Sequence, residues 1–178
     1  MSELQQITFR EVVQADLPIL IEIENLGFTP EEAATPDAFQ TRIKMIPDTF
    51  IVAESNGEVL GYVDGPVVHK RYITDDLFAT VVPNAPVGGH QAVLGLAVRP
   101  EHRKSGIGSA LIQELIRRCT LAQRETITLT CRDMLIPFYE RNGFKNEGKS
   151  ESDHGGYVWY NMVYSLQTSD QVVSNPTE

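Results

Sequence analysis

The sequence predicts a mixed α/β fold: a mostly antiparallel central sheet of about six or seven strands, flanked by about four helices. Three observations carry this expectation. Short β-branched, apolar runs bounded by Gly, Pro or Asn recur along the chain, as strands require. Longer segments between them repeat apolar residues every three or four positions, as amphipathic helices require. The order of the two kinds is β, α, α, several β, then β-α-β-α-β, which a mixed sheet accommodates.

Taken in order, Ile7 to Val13 reads as the first strand. Asp16 is placed to cap a helix running to about Leu26, with Leu17, Leu20, Ile21, Ile23 and Leu26 apolar, and Gly27 can end it. Thr29 to Pro36 holds two prolines and two glutamates, so a loop or broken helix is expected. A second helix should run from Asp37 to about Met45, stopped by Pro47. Phe50–Glu54 and Val59–Val63 flank Ser55-Asn56-Gly57-Glu58, and Asn-Gly is a strong hairpin signal.

Arg71 to Pro86 reads as a long excursion with a short helix near Asp75–Phe78. Gln91 to Val98 is an apolar strand, and Gly95 inside it marks a bulge, a close backbone approach or tight packing. Gly106 to about Ala122 is helical, with Ile107, Leu111 and Leu115 on one stripe and Ile112, Ile116 and Cys119 beside it. Glu114 and Arg118 are spaced to pair on its outer face. Thr126 to Thr130 alternates like a half-buried strand. A short helix should cover Pro137–Arg141 and end at Asn142-Gly143. Tyr157 to Leu166 is the last strand.

At 178 residues and 42% hydrophobic content, the chain fits one domain over residues 1–166, with 167–178 as a polar, disordered tail. There is no run of 18 apolar residues, and the first residues lack a basic region and an apolar signal core. Cys119 and Cys131 show no metal-ligand spacing. A reduced, cytoplasmic protein without a metal site is the expectation, as monomer or homodimer.

The net charge is −9, and it is unevenly placed. Residues 1–80 hold 14 acids against 5 bases, whereas residues 81–178 hold 10 of each. Nucleic acid is an unsuitable partner for such a chain, because phosphate contacts need a clustered positive face. A small cation approaching the N-terminal half would be favoured.

The densest chemical signal is Leu94-Gly-Leu-Ala-Val-Arg-Pro-Glu-His-Arg-Lys-Ser-Gly-Ile-Gly108. A strand ends at Val98, a basic stretch with two glycines follows, and a helix begins at once. Glycines let a ligand approach the backbone, and the first N–H groups of a helix have no intrahelical partner. Arg103 and Lys104 add positive charge. Such a cradle suits a pyrophosphate. Its spacing, Arg-x-x-Gly-x-Gly, lacks both the Walker lysine–hydroxyl pair and the three-glycine dinucleotide fingerprint.

Arg103-Lys-Ser-Gly-Ile-Gly108 resembles the coenzyme A motif of the GNAT-type N-acetyltransferases, written Arg/Gln-x-x-Gly-x-Gly/Ala. Farther on, Pro137-Phe-Tyr-Glu-Arg-Asn-Gly-Phe144 is similar to their tyrosine-bearing helix followed by Gly-Phe. Within that superfamily the chain looks like the arylalkylamine N-acetyltransferase group, closer to bacterial or fungal members than to vertebrate ones. The carriers are Glu22-Ile-Glu24 with Phe28, Gly88-Gly-His90 leading into Leu96-Ala-Val98, and Cys131 ahead of Leu135-Ile-Pro-Phe-Tyr-Glu-Arg141.

The resemblance implies the GNAT fold and acetyl-CoA as cosubstrate. Leu96, Ala97 and Val98 would pair with the pantetheine arm like an added strand, which requires the sheet to splay after them. The Leu96 N–H would be the oxyanion donor. Lys104, Ser105, Gly106, Ile107, Gly108 and Ser109 would wrap the pyrophosphate, with Arg103 adding charge and Phe138 at the same site. Tyr139 would be the general acid, since a phenol pKa near 10 is close enough to a thiol's 8.5.

The base is left open. Vertebrate relatives place two histidines where this chain has Ala92 and Leu94, which accept no proton. His90 shares their strand face and could act through water. His154 stands in a glycine-flexed loop near the acceptor side. Glu24, Glu31 or Glu32 could instead bind the ammonium or relay its proton, beside Phe28; Asp37 is a further candidate for the entrance. His69 and His102 have no supporting constellation and are expected to be exposed. Three readings follow: acetyl transfer to a small cationic amine, arylalkylamine or polyamine-like; transfer to a protein N-terminus or lysine; and a non-catalytic acyl-CoA sensor.

Overall fold

The structure is a computed structural model and describes residues 6–166. The expected disordered tail lies outside the described residues. Among the described residues, nine strands form two sheets, and four α-helices accompany them.

The first sheet has the order β1-β2-β3-β6, all antiparallel: β1 (Thr8–Glu11), β2 (Phe50–Ser55), β3 (Glu58–Asp64) and β6 (Gly95–Val98). Between β2 and β3 the Asn56-Gly57 pair takes positive φ values of 53° and 80°, the conformation a two-residue hairpin turn needs. Helices cover both faces. Phe50 and Val52 point to one side, where Leu20 and Ile23 of α1 (Leu17–Gly27) and Phe39 and Ile43 of α2 (Pro36–Met45) meet them. Ile51 and Ala53 point to the other, against Ile107, Leu111 and Leu115 of α3 (Ile107–Leu121). Burial on both faces explains why β2 reads as a continuous apolar run instead of an alternating one.

Helix α2 starts on Thr35, whose hydroxyl accepts the Ala38 N–H at 3.1 Å. Asp16 does not cap α1 as its position suggested. Its carboxylate pairs with Arg10 at 2.8 Å and takes the Val13 N–H at 2.9 Å, so it ties β1 to the entry of the helix. On α3, Glu114 pairs with Arg118 at 2.7 Å as expected, and also with Arg117 at 2.6 Å.

The second sheet has the order β4-β5-β7-β9-β8: β4 (Val67–Val68), β5 (His90–Val93), β7 (Thr126–Cys131), β9 (Tyr160–Ser165) and β8 (Lys145–Lys149). Only β5 and β7 run parallel; the rest are antiparallel. The short helix α4 (Ile136–Arg141) leads into β8. β8 escaped the sequence reading because Lys145-Asn-Glu-Gly-Lys149 is a polar, largely exposed edge with no apolar alternation.

The expected strand over 91–98 is two strands. The chain breaks at Leu94: β5 belongs to the second sheet and β6 to the first. The Leu94 N–H donates to the Asp64 carbonyl at 2.8 Å, and a Cβ on Gly95 would stand 2.8 Å from Asp64 Oδ1. Gly95 therefore marks both the break and a close approach. Beyond it, β6 and β7 diverge, and β6 is the free edge of its sheet. The result is a wedge with an unpaired strand edge along one wall.

Candidate active site

The wedge opens onto two cavities. The larger, about 680 Å³, runs along Leu96, Ala97 and Val98, past Arg103 and Lys104, to Gly106, Ile107, Gly108 and Ser109, with Phe138 on its other side. Just past β6 the Arg99 N–H donates to the Leu60 carbonyl at 2.8 Å. By the alternation of an antiparallel ladder, Ala97 then faces β3, while Leu96 and Val98 direct their N–H and C=O into the wedge. Gly106, at φ +88°, turns the chain into α3, whose first N–H groups have no side-chain cap. Gly108 lies against Phe138, with 3.4 Å from a would-be Cβ to the ring.

Two expected contributors to the cradle behave differently. Ser105 does not line the cavity; its hydroxyl donates to the His102 carbonyl. Arg103 lines it but folds back, donating to the Val98 carbonyl at 3.2 Å and the Leu26 carbonyl at 3.4 Å. His102, expected to be merely exposed, lines the cavity, as do Arg141 and Asn142 from the end of the tyrosine helix. No local signal in the sequence marked His102.

The smaller cavity, about 90 Å³, is lined by Glu24, Phe28, Glu32, Phe78, Leu94, Leu96, Leu135, Tyr139, His154 and Trp159, among others. Tyr139 and Phe28 line both cavities. Tyr139 is buried, in edge contact with Phe138 and Phe144 at 5.0 and 5.5 Å. Glu24 is only 5% exposed. The Tyr62 hydroxyl donates to its Oε1, and the Ala34 N–H to its Oε2 at 2.8 Å.

The roof is a seam of four loops. Glu32 pairs with Arg132 at 3.3 Å, and Arg132 lies 3.9 Å over the Tyr157 ring. His154 stacks on Phe78 at 4.7 Å, with its Nε2 3.2 Å from the Glu32 carbonyl oxygen. The Trp159 indole N–H donates to the His154 carbonyl at 2.8 Å. Phe78, Arg132 and Trp159 were missed because loops far apart in sequence bring them together.

Of the candidate acceptor-side residues, Glu24, Phe28, Glu32 and His154 converge here, while Glu31 and Asp37 line neither cavity. His90 also lines neither. Its Nδ1 is 2.8 Å from Thr126 Oγ1, and Glu125 is 3.8 Å from its Nε2, at the far end of β5.

A family model described as "Acetyltransferase (GNAT) family" matches residues 17–144. The chain belongs to the GNAT acetyltransferase family. Among curated proteins it is 26% identical over 165 residues to serotonin N-acetyltransferase of Mesocricetus auratus, covering 89% of this chain and 77% of that one. It is 24% identical over 124 residues to the uncharacterised N-acetyltransferase YkwB of Bacillus subtilis, covering 64% and 55%. Among solved structures, the GphF GNAT-like decarboxylase in complex with isobutyryl-CoA superposes with a TM-score of 0.76 at 17% identity, covering 90% of this chain and all of that one. The ribosomal-protein-S18-alanine N-acetyltransferase of Escherichia coli gives 0.69 at 16%, covering 97% and 100%.

As a GNAT enzyme this is an acetyl-CoA-dependent N-acetyltransferase. The GNAT wedge here also sets the protonation of its groups. Burial pushes the Glu24 carboxyl above its ordinary range, against the Tyr62 and Ala34 hydrogen bonds that lower it. Burial likewise raises the Tyr139 phenol, with Cys131 adding to it, and lifts the neighbouring Cys131 thiol to about 12. Among the described residues, no helix is long and apolar enough to cross a membrane.

Proposed function

We propose that the enzyme acetylates the primary amine of a small monocationic, arylalkyl-type acceptor by direct attack, with Glu24 taking the proton and Tyr139 as general acid. The observation that carries this reading is Tyr139, which lines the coenzyme-sized groove and the smaller pocket alike. A buried carboxyl, that of Glu24, lines the same smaller pocket.

The larger cavity takes acetyl-CoA, with the pantetheine arm along the free edge of β6 and the pyrophosphate at the start of α3. An alkylammonium with pKa near 10.4 costs about 4–5 kcal/mol to deprotonate at pH 7. A carboxylate made more basic by burial is suited to take that proton. The amine nitrogen then attacks the thioester carbon, and the carbonyl oxygen, now anionic, meets the Leu96 N–H that faces the wedge. As the C–S bond breaks, the thiolate takes the Tyr139 proton, and the phenolate is reprotonated by the second proton that the nitrogen releases in becoming the amide.

The lining favours an aromatic amine over a polyamine. Phe28, Phe78, Leu135 and Trp159 supply apolar surface. Both acids in the pocket are already engaged, Glu24 by Tyr62 and Ala34, Glu32 by Arg132, so no free carboxylate awaits a second ammonium. The closed seam of Glu32, Phe78 and His154 argues against a protein chain as acceptor. An acyl-CoA sensor would need no tyrosine at the junction of the two cavities. The test is thiol release from acetyl-CoA across a panel of arylalkylamines, diamines, polyamines and N-terminal peptides. Arylalkylamines should show the highest kcat/KM. Preference for peptides or polyamines, or release from none, overturns the reading.

A further inference from the structure

Below the break in the sheet lie four buried polar side chains, of which only Glu24 has a task in the chemistry above. The others are Tyr62, Asp64 and Arg42, at 0, 1 and 2% exposed. An arginine at that depth is costly unless its charge is matched. Arg42 comes from α2 and reaches in two directions. Its Nη1 is 3.1 Å from Asp64 Oδ2, and its Nη2 donates to the Phe78 carbonyl at 3.1 Å.

Each end of this bridge matters to the pocket. Asp64 ends β3; its carbonyl takes the Leu94 N–H where β5 gives way to β6, and its carboxyl fills the space a side chain at Gly95 would need. Phe78 ends the turn Asp75–Phe78, lines the smaller cavity and stacks on His154. Near Phe78 the other side-chain ties, Arg71 and Tyr72 to Glu147 and Ser152 to Asp75, are exposed and reach only β8 and the 150–159 loop, while the far end of the excursion is held through Asn84 to Asp48, Thr49 and the Val67 N–H and through the Ala85 carbonyl to Arg124. Arg42 couples Phe78 itself, through a buried bridge, to the point where the sheet divides.

We propose that Arg42 is a positioning residue for the acceptor site: it holds Phe78 in register with Leu94 and Gly95, so that the amine pocket stays aligned with the thioester end of the groove. The assignment rests on the reading that the smaller cavity receives the acceptor.

The decisive variant is Arg42→Met combined with Asp64→Asn, which removes both charges and leaves neither buried alone. Acceptor KM should rise at least tenfold while acetyl-CoA KM stays within twofold. A second readout needs no turnover. Trp159 is the chain's only tryptophan, and it bonds to the residue that stacks on Phe78. Its emission should move to longer wavelength and become easier to quench with acrylamide. Phe78→Ala should raise acceptor KM in the wild-type background and add little in the double variant, because the two changes share one route. If the double variant does not fold, Arg42→Lys, too short to span both partners, should show the same KM split and emission shift. Unchanged Trp159 emission, unchanged acceptor KM, an equal rise in both KM values or full additivity with Phe78→Ala overturns the proposal. Should the wild-type protein acetylate no amine at all, the proposed function fails and the Trp159 measurement alone decides whether Arg42 holds the wall.

Discussion

Tyr139 and Glu24 show how burial changes what a side chain can do. Tyr139→Phe keeps the ring among Phe138 and Phe144 but removes the proton, so turnover should fall roughly 10²–10⁴-fold with little change in acetyl-CoA affinity. Near-normal turnover in the purified variant would make it a packing residue. Glu24→Gln separates chemistry from stability. A carboxyl whose folded pKa lies above its unfolded value binds more protons when folded, so its contribution to stability falls as pH rises between the two values. At neutral pH the amide should therefore leave the melting temperature unchanged or higher while kcat falls by a similar 10²–10⁴-fold. In the wild-type enzyme kcat/KM should rise with pH along an acidic limb set above the ordinary carboxylate range, and Glu24→Gln should erase that limb. A limb that survives in the variant would move the base elsewhere, with His154 the next group to test.

At the scale of elements, the turn into α3 is the proposed seat of coenzyme binding. Gly106 holds φ +88°, where an L-residue costs about 1–2 kcal/mol, and a Cβ on Gly108 would already stand in contact with the Phe138 ring at 3.4 Å. Gly106→Val or Gly108→Val should raise acetyl-CoA KM tenfold or more while the fold persists, as calorimetric titration and circular dichroism would show. Unchanged affinity in a folded variant removes the cradle from coenzyme binding. The hairpin turn offers a contrast. Gly57→Val, at φ +80° with open space around it, should cost a similar 1–2 kcal/mol of stability and leave both KM values alone. A KM change there would mean that the hairpin communicates with the wedge.

Across the whole molecule, charge and shape act at different ranges. The acidic excess of residues 1–80 should draw a cationic amine toward the pocket, so kcat/KM for the acceptor should fall modestly with added salt. Since Asp37 and Glu31 lie outside the cavity, neutralising either should change acceptor KM less than twofold, whereas Glu32→Gln releases Arg132 and should change it more. Steady-state kinetics at two ionic strengths decide it; equal effects from all three would make the acids a general field. The sequence by itself determined the helices, the Asn56-Gly57 hairpin, the glycine cradle and the tyrosine helix, because each is written in a local period or in a glycine that its backbone conformation demands. Only the tertiary structure decided the break at Leu94, the polar strand β8 and the placement of His90 away from both cavities. It alone brought Glu24, Phe78, His154 and Trp159 around one pocket. Strand register and loop closure depend on partners dozens of residues away, and burial, which sets the basicity of Glu24, exists only once those partners have met.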